Sequence, residues 1–365
     1  MGNELDKMVL PFWRQNVMYG ESAVMIRREN GEITAKTLFA PVKIIEVRNY
    51  ALDQVYQEGK DYIWDGKSAE LKWLPGSAIP YFTQNDIEGR DESGNYIVAW
   101  GDKEHGWTEE SPWDSLGRSR FNNALFTAGP FLYEKQIAVT YEYECRDAAG
   151  YGTPFQGSRL PNFMAKLNRK EAVKIVFYGD SIFFGYDSSQ VHERPPFQPS
   201  FPYWVEKELS RRYGSKIEVL NPSVGGKDTI WGKENAQELV AAQQPDFVFV
   251  GFGMNDGGKT GRDAAENIRS VLETVRTENP ACEFLVAVPM AANAQSGFLS
   301  TQTQFSEAYA KLAGNGVAIA DMFQEHEKIL KRKDYIATSG NNVNHPNDWL
   351  IRVYAMNFLS ALIPY

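Results

Sequence analysis

Four residues in the second half of this 365-residue chain have types and settings that fit acyl transfer: Ser181, Gly226, Asn255 and His345. A serine hydroxyl becomes a nucleophile when a neutral imidazole takes its proton. The oxyanion that then forms needs two or three preorganised N–H donors. A glycine presents its backbone N–H with no side chain in the way, and an asparagine amide adds another donor. Singly, each residue has an ordinary reading. Gly179-Asp180-Ser181 reads as a helix cap, Gly226 as a glycine entering a helix, Asn255 as a turn residue and His345 as the residue ahead of Pro346 at a helix start. Taken in order, each at a strand end or helix entry, they gain joint weight.

The elements that must position them alternate between strand and helix. Lys174–Tyr178 is an apolar run with two β-branched residues, the pattern of a strand buried on both faces. Strands are also expected at 217–220, 247–251, 284–288 and 317–320. Helices are expected at 203–212, 234–242, 262–278, 304–313 and 349–362. Five such units in series predict a five-stranded parallel sheet with helices on both faces. Open sheets of this kind gather ligand chemistry at the carboxyl ends of their strands. Ser181, Asn221–Gly226 and Gly251–Gly258 follow the first three strands, and Asn341–Asp348 precedes the last helix.

The first half reads differently. Short alternating runs at 23–28, 43–48, 61–64 and 137–144 are strand-like. Asn30-Gly31, Asp65-Gly66, Pro75-Gly76 and Ser93-Gly94-Asn95 mark turns between them. No stretch shows convincing helical periodicity, so an antiparallel β-sandwich of jelly-roll type is expected. Its aromatic segment (Tyr81, Phe82, Tyr96, Trp100, Trp107, Trp113, Phe121, Phe126 and Phe131) is read first as core and loop packing, and second as a sugar-stacking surface. The polar, Trp-bearing loop from Gly101 to Arg120 is a candidate to reach over the second half's site. The Pro- and Gly-bearing stretch at 150–171 marks the boundary, giving an accessory domain at 1–168 and an α/β domain at 169–365.

Composition bounds the function. A net charge of −9 gives no basic face for nucleic acid. Cys145 and Cys282 stand far apart and form no disulfide framework. The four histidines (His105, His192, His326 and His345) show no HExxH or HxH spacing, so no metal is expected. The polar start lacks a signal-peptide pattern and no run of 18 apolar residues occurs, so a cytoplasmic chain without a membrane span is expected.

The second half resembles the SGNH hydrolases, the GDSL-type lipase/esterases, over about residues 172–365. The matching blocks are Gly179-Asp180-Ser181-Ile182, Asn221-Pro222-Ser223-Val224-Gly225-Gly226, Gly253-Met254-Asn255-Asp256 and His345-Pro346. The resemblance implies Ser181 as nucleophile and His345 as general base, then acid. It implies an oxyanion hole of the Ser181 and Gly226 backbone N–H groups and the Asn255 amide. The first half is similar, more loosely, to the β-sandwich modules ahead of such domains in carbohydrate-active members. One departure stands out. The family's last block places an Asp three residues before the histidine, and here that position is Asn342. Three outcomes follow: a Ser–His dyad with His345 held by a main-chain carbonyl, a substitute acid such as Asp348, or weakened activity. The dyad is the expectation.

The reading is hydrolysis of short-chain, acetyl-type esters on carbohydrate through an acyl-enzyme on Ser181, without metal or organic cofactor. The expected partner is a small-molecule or oligosaccharide ester, with no nucleic acid and no membrane, and a homo-oligomer is left open. The alternatives are a lipid or thioester hydrolase of the same fold, and a carbohydrate-binding protein with weakened catalysis.

Overall fold

The structure is a computed structural model and describes every residue except Met1, Gly106, Glu110, Ser111 and Ala128. After α1 (Gly2–Lys7), the first half contains β1 (Val17–Arg27), β2 (Ile33–Lys36), β3 (Lys43–Asn49), β4 (Val55–Tyr56), β5 (Tyr62–Trp64), β6 (Glu70–Trp73) and β7 (Tyr81–Phe82). Then follow α2 (Gln84–Ile87), β8 (Arg118–Phe121), β9 (Ala124–Thr127), α3 (Pro130–Tyr133) and β10 (Gln136–Glu142). Seven strands run in the order β4-β3-β10-β1-β2-β6-β5, and β7 adds to β1 in parallel. The long β1 links two antiparallel leaflets: residues 17–24 pair with β10 and residues 26–27 with β2. Its register shifts between Met18 and Glu21, the kind of irregularity that bends a strand from one leaflet into another.

The second half begins with α4 (Pro161–Asn168) and β11 (Val173–Gly179), then α5 (Ser181–Phe184), α6 (Phe201–Tyr213), β12 (Ile217–Leu220), α7 (Thr229–Leu239) and β13 (Phe247–Gly251). It closes with α8 (Gly261–Glu278), β14 (Glu283–Val288), α9 (Phe305–Ala310), β15 (Val317–Asp321), α10 (Met322–Leu330) and α11 (Asp348–Leu362). The sheet is parallel in the order β12-β11-β13-β14-β15. All five residues of β13 and all six of β14 are buried, as the unbroken apolar runs require. The chain reverses sheet order at β11, so the Ser181 turn sits at the crevice where such sheets bind ligands.

Two expectations need adjusting. The first half has short helices, and α4, placed by sequence in the first domain, packs on the parallel sheet. Phe163 stacks on Phe247 at 4.2 Å, and the Asn162 and Phe163 N–H groups donate to Glu283. The Trp-bearing loop turns back on its own half: Trp100 and Trp113 pack on Phe126, and Trp107 packs on Trp100. Among the described residues its ring contacts go there and not to Ser181 or His345.

One hydrophobic core spans both halves, joining Met18, Val47 and Tyr141 to Phe177, Phe249 and Trp349. At its centre lies α11, buried along its whole length, with its polar side chains bonded inside, Arg352 to Gln198 Oε1 and Asn357 to the Val353 carbonyl. A fully buried Lys333–Glu21 ion pair also crosses between the halves. Glu21 further accepts from Tyr141 Oη at 2.5 Å and from the Leu38 N–H at 2.7 Å, so its charge is well supplied with donors. No helix among the described residues is long and apolar enough to cross a membrane.

Candidate active site

The nucleophile candidate is held by a turn that the sequence makes tight. β11 ends at Gly179, paired with Gly251 of β13. Asp180 caps α5 by accepting from the Ile182 N–H at 2.9 Å. Burial pushes its carboxyl up to about 7, against the opposing effect of that hydrogen bond. Ser181 is the first residue of α5, and α5 lasts a single turn before Gly185 ends it in a left-handed conformation. The chain therefore doubles back, and Tyr186 and Asp187 return to the serine they have just left.

His345 arrives from the other end of the chain. The 339–347 loop is a knot of local bonds. Asn341 Oδ1 accepts from the N–H groups of Val343, Asn344 and His345 at 2.9–3.1 Å. The His345 carbonyl accepts from Gly340 N–H and Ser339 Oγ. Asn347 anchors the loop to the first half. It caps α11 through the Leu350 N–H, while its amide donates to Ser22 Oγ on β1 at 2.9 Å and to Gln136 Oε1 on β10 at 3.2 Å.

The two pieces meet in a continuous relay. His345 Nε2 lies 2.8 Å from Ser181 Oγ, and His345 Nδ1 lies 2.7 Å from Asp187 Oδ2. An ionised carboxylate only accepts, so Nδ1 carries the hydrogen and Nε2 presents its lone pair to the serine hydroxyl. Asp187 is buried, which by itself would raise its pKa. Hydrogen bonds from His192 and His345 outweigh that and bring it to about 2. Its other oxygen, Oδ1, faces His192 Nε2 at 2.7 Å. Gly340 permits this approach, since a Cβ there would sit 2.3 Å from Asp187 Cβ.

The carboxylate facing His345 Nδ1 is therefore that of Asp187 and not that of Asp348, and Asn342 is turned elsewhere. The Asn342 side chain donates to the Leu125 carbonyl on β9 at 3.2 Å, and its backbone carbonyl accepts from Asn293 at 2.8 Å. Its φ of 63° makes it a left-handed turn residue, a role asparagine tolerates well. Asp348 accepts from the Ser189 N–H at 2.9 Å and from Tyr50 Oη at 3.3 Å. The dyad with a main-chain orienter is likewise replaced, because a carboxylate occupies Nδ1. The signal was present in the sequence as a carboxylate six residues beyond the serine, across a helix-ending glycine. His192 and Tyr186 were also missed. The Tyr186 ring lies parallel to His345, 6.1 Å away at 9°, and packs on Phe184.

Gly226 and Asn255 lie on neighbouring loops. The Val224 N–H donates to the Gly179 carbonyl at 3.1 Å, which ties the β12 loop to the serine turn. A Cβ on Gly225 would stand 3.7 Å from Ser181 Cβ. Gly226 follows with φ 75°, open on its Cβ side, a backbone state that glycine adopts freely. Asn255 donates one amide hydrogen to the Lys227 carbonyl at 3.0 Å, joining the two loops. Asp256 then accepts from the Thr229 N–H and hydroxyl at the start of α7. His326, by contrast, is a core histidine. It is bonded to the Ala291 carbonyl and Thr338 Oγ1, and burial pushes it down to about 3.

Several known proteins are similar to this chain. Residues 177–349 match the model of the GDSL-like lipase/acylhydrolase family. Over 189 residues the chain is 28% identical to thioesterase 1/protease 1/lysophospholipase L1 of Escherichia coli K12, covering 49% of this chain and 81% of that protein. Among solved structures it is similar to a two-domain esterase active on acetylated mannans, co-crystallised with mannopentaose. The TM-score is 0.45 at 18% identity, over 58% of this chain and 56% of that one, so the match spans little more than half of that esterase. An acetylxylan esterase from Geobacillus stearothermophilus matches with TM-score 0.45 and 21% identity, over 54% of this chain and 97% of that one. Residues 177–349 are thus a hydrolase domain of the GDSL-like lipase/acylhydrolase family.

Proposed function

We propose that the chain is a serine esterase that removes short acyl groups, acetyl foremost, from carbohydrate through an acyl-enzyme on Ser181. The observation that carries this reading is the unbroken relay from Ser181 Oγ through His345 to the buried Asp187 carboxylate. His345 Nε2 takes the hydroxyl proton as Oγ attacks the ester carbonyl carbon. The oxyanion is received by the N–H groups of Ser181 and Gly226 and the amide of Asn255. His345 returns the proton to the leaving sugar oxygen. Water, deprotonated by His345, then attacks the acyl-enzyme; the Oγ–acyl bond breaks, His345 returns the proton to Ser181 Oγ, and the carboxylic acid is released. Side chains and water complete this chemistry with no metal or organic cofactor.

Carbohydrate is favoured by the rim. Phe184 and Tyr186 flank the site at 42% and 40% exposure, and aromatic faces of this kind stack on apolar faces of sugar rings. The same rim, with Val224 37% exposed, also supports a second reading. That reading is a lipid or thioester hydrolase, in line with the Escherichia coli relative. A carbohydrate-binding protein with weakened catalysis rests on Asn342, whose side chain bonds the Leu125 carbonyl; with the Asp187 carboxylate on His345 that motive falls away.

The test is released acetate from acetylated xylan and manno-oligosaccharides, alongside p-nitrophenyl and acyl-thioester series of rising chain length. Turnover that needs Ser181 and is greatest for acetyl on sugar is expected. Undiminished turnover by Ser181→Ala would sink the serine mechanism. A preference for long acyl thioesters would select the second reading.

A further inference from the structure

We infer that His192 is a positioning residue, which pins Asp187 by its second oxygen and extends the relay to Ser181–His345–Asp187–His192. This rests on the serine esterase reading and goes beyond it. Asp187 is held at φ 64° on the loop leaving α5, and its carboxylate is set by its partners. One imidazole on each oxygen, both at 2.7 Å, fixes the plane of the carboxylate. The carboxylate is only 8% exposed, so an oxygen without a donor would be a buried, unsatisfied acceptor.

His192 is itself held from both halves of the chain. Its N–H donates to the Ser188 carbonyl at 3.2 Å. Its ring stacks on Tyr133 of α3 with centroids 6.2 Å apart. Arg194 lies over the ring of that tyrosine at 5.2 Å and pairs with Glu134 at 3.6 Å. The charged and titratable groups facing His192 are therefore Asp187 and Arg194 on its own loop, Tyr133 with Glu134 behind it on α3, and Asp348 at the start of α11. His345 lies across Asp187. The hydrogen bond to Asp187 raises the His192 pKa, with burial opposing.

That arrangement gives the fourth member a consequence of its own. Neutral His192 donates Nε2–H and steadies the acid. Protonated His192 makes the same bond but neutralises Asp187, which then does less for the imidazolium that forms on His345. Protonation of His192 should therefore weaken the enzyme.

The experiment compares kcat, KM and the pH profile of kcat/KM on p-nitrophenyl acetate for wild type, His192→Ala, His192→Gln and Ser181→Ala. His192→Ala should lose roughly 10- to 100-fold in kcat at similar KM, the scale known for residues that orient a functional histidine in metal sites. His192→Gln keeps an N–H donor and loses the titration. It should recover most of kcat and fall less steeply on the acid side than wild type. Wild-type kcat and an unchanged acid limb in His192→Ala would overturn the inference. If that variant does not fold, the glutamine profile decides alone, and its coincidence with wild type is equally fatal. Retained turnover in Ser181→Ala would instead overturn the esterase reading, whatever His192 does.

Discussion

Replacing Asp187 by asparagine isolates the residue that the structure puts behind His345. Burial should push this carboxyl up, yet the hydrogen bonds from His192 and His345 bring it from 3.8 to about 2. That difference corresponds to roughly 2–3 kcal/mol in favour of the ionised form. The interaction must strengthen as His345 becomes an imidazolium, because its partner oxygen lies only 2.7 Å away. An amide removes this charge. It also offers an N–H where an acceptor stood, which favours the tautomer with the hydrogen on Nε2, facing the serine. In a serine protease the same change lowers turnover about 10⁴-fold, or roughly 5 kcal/mol. We expect Asp187→Asn to lower kcat by about 10³- to 10⁴-fold with KM little changed, since only the transition state carries the new charge. The assay is p-nitrophenyl acetate hydrolysis, with Ser181→Ala as the floor and Asn342→Ala as the control. Asn342 holds β9 rather than His345, so its loss should lower Tm and spare kcat. Wild-type turnover in Asp187→Asn, or a collapse of turnover in a folded Asn342→Ala, would refute the assignment of the acid.

Three further outcomes are expected. Asn255→Ala should lower kcat by about 10²- to 10³-fold, the usual scale for one oxyanion donor; a change confined to KM would remove Asn255 from that role. Asp180 has its folded pKa raised to about 7 by burial, so the native state binds its proton more tightly than the unfolded chain. The stability it contributes is present in acid and is lost as pH rises from about 4 towards 7. Asp180→Asn keeps the cap and loses the titration, so its Tm relative to wild type should rise across that window; a flat difference would show the group to be ionised throughout. Lys333→Met strands the buried Glu21 charge and should destabilise by about 3–5 kcal/mol, read from denaturant unfolding, while Lys333→Met combined with Glu21→Gln should recover much of that loss.

The α/β half was legible because its central strands β11, β13 and β14 are buried on both faces and so appear as apolar runs. β12 and β13 fall at the expected residues, and β11, β14 and β15 differ by a residue or so at their ends. The helix α10 escaped notice because two of its buried positions are Glu325 and His326, which break the apolar stripe a reader follows. In the first half β1, β3, β5 and β10 were legible, but β2, β4 and β6 to β9 were not, being too short to carry a pattern; nor was the arrangement, since a strand shared between two leaflets looks locally like any other. At the site, Ser181 and His345 stood out because strand ends and helix entries bound them. Asp187 did not, because the partner of an imidazole is chosen in space. The spacing rule searched the histidine's own loop, whereas the acid comes from the serine's.

That choice of loop has a kinetic side. Ser181 and Asp187 are placed by one short helical turn and its reversal, so two thirds of the relay assembles locally. Only His345, 158 residues from Asp187 in sequence, must be delivered by long-range folding. Its delivery depends on α11 entering the shared core and on Asn347 reaching β1 and β10. The first half is thus a jig for the histidine, gripping the chain two residues beyond it at Asn347 while the serine turn folds on itself.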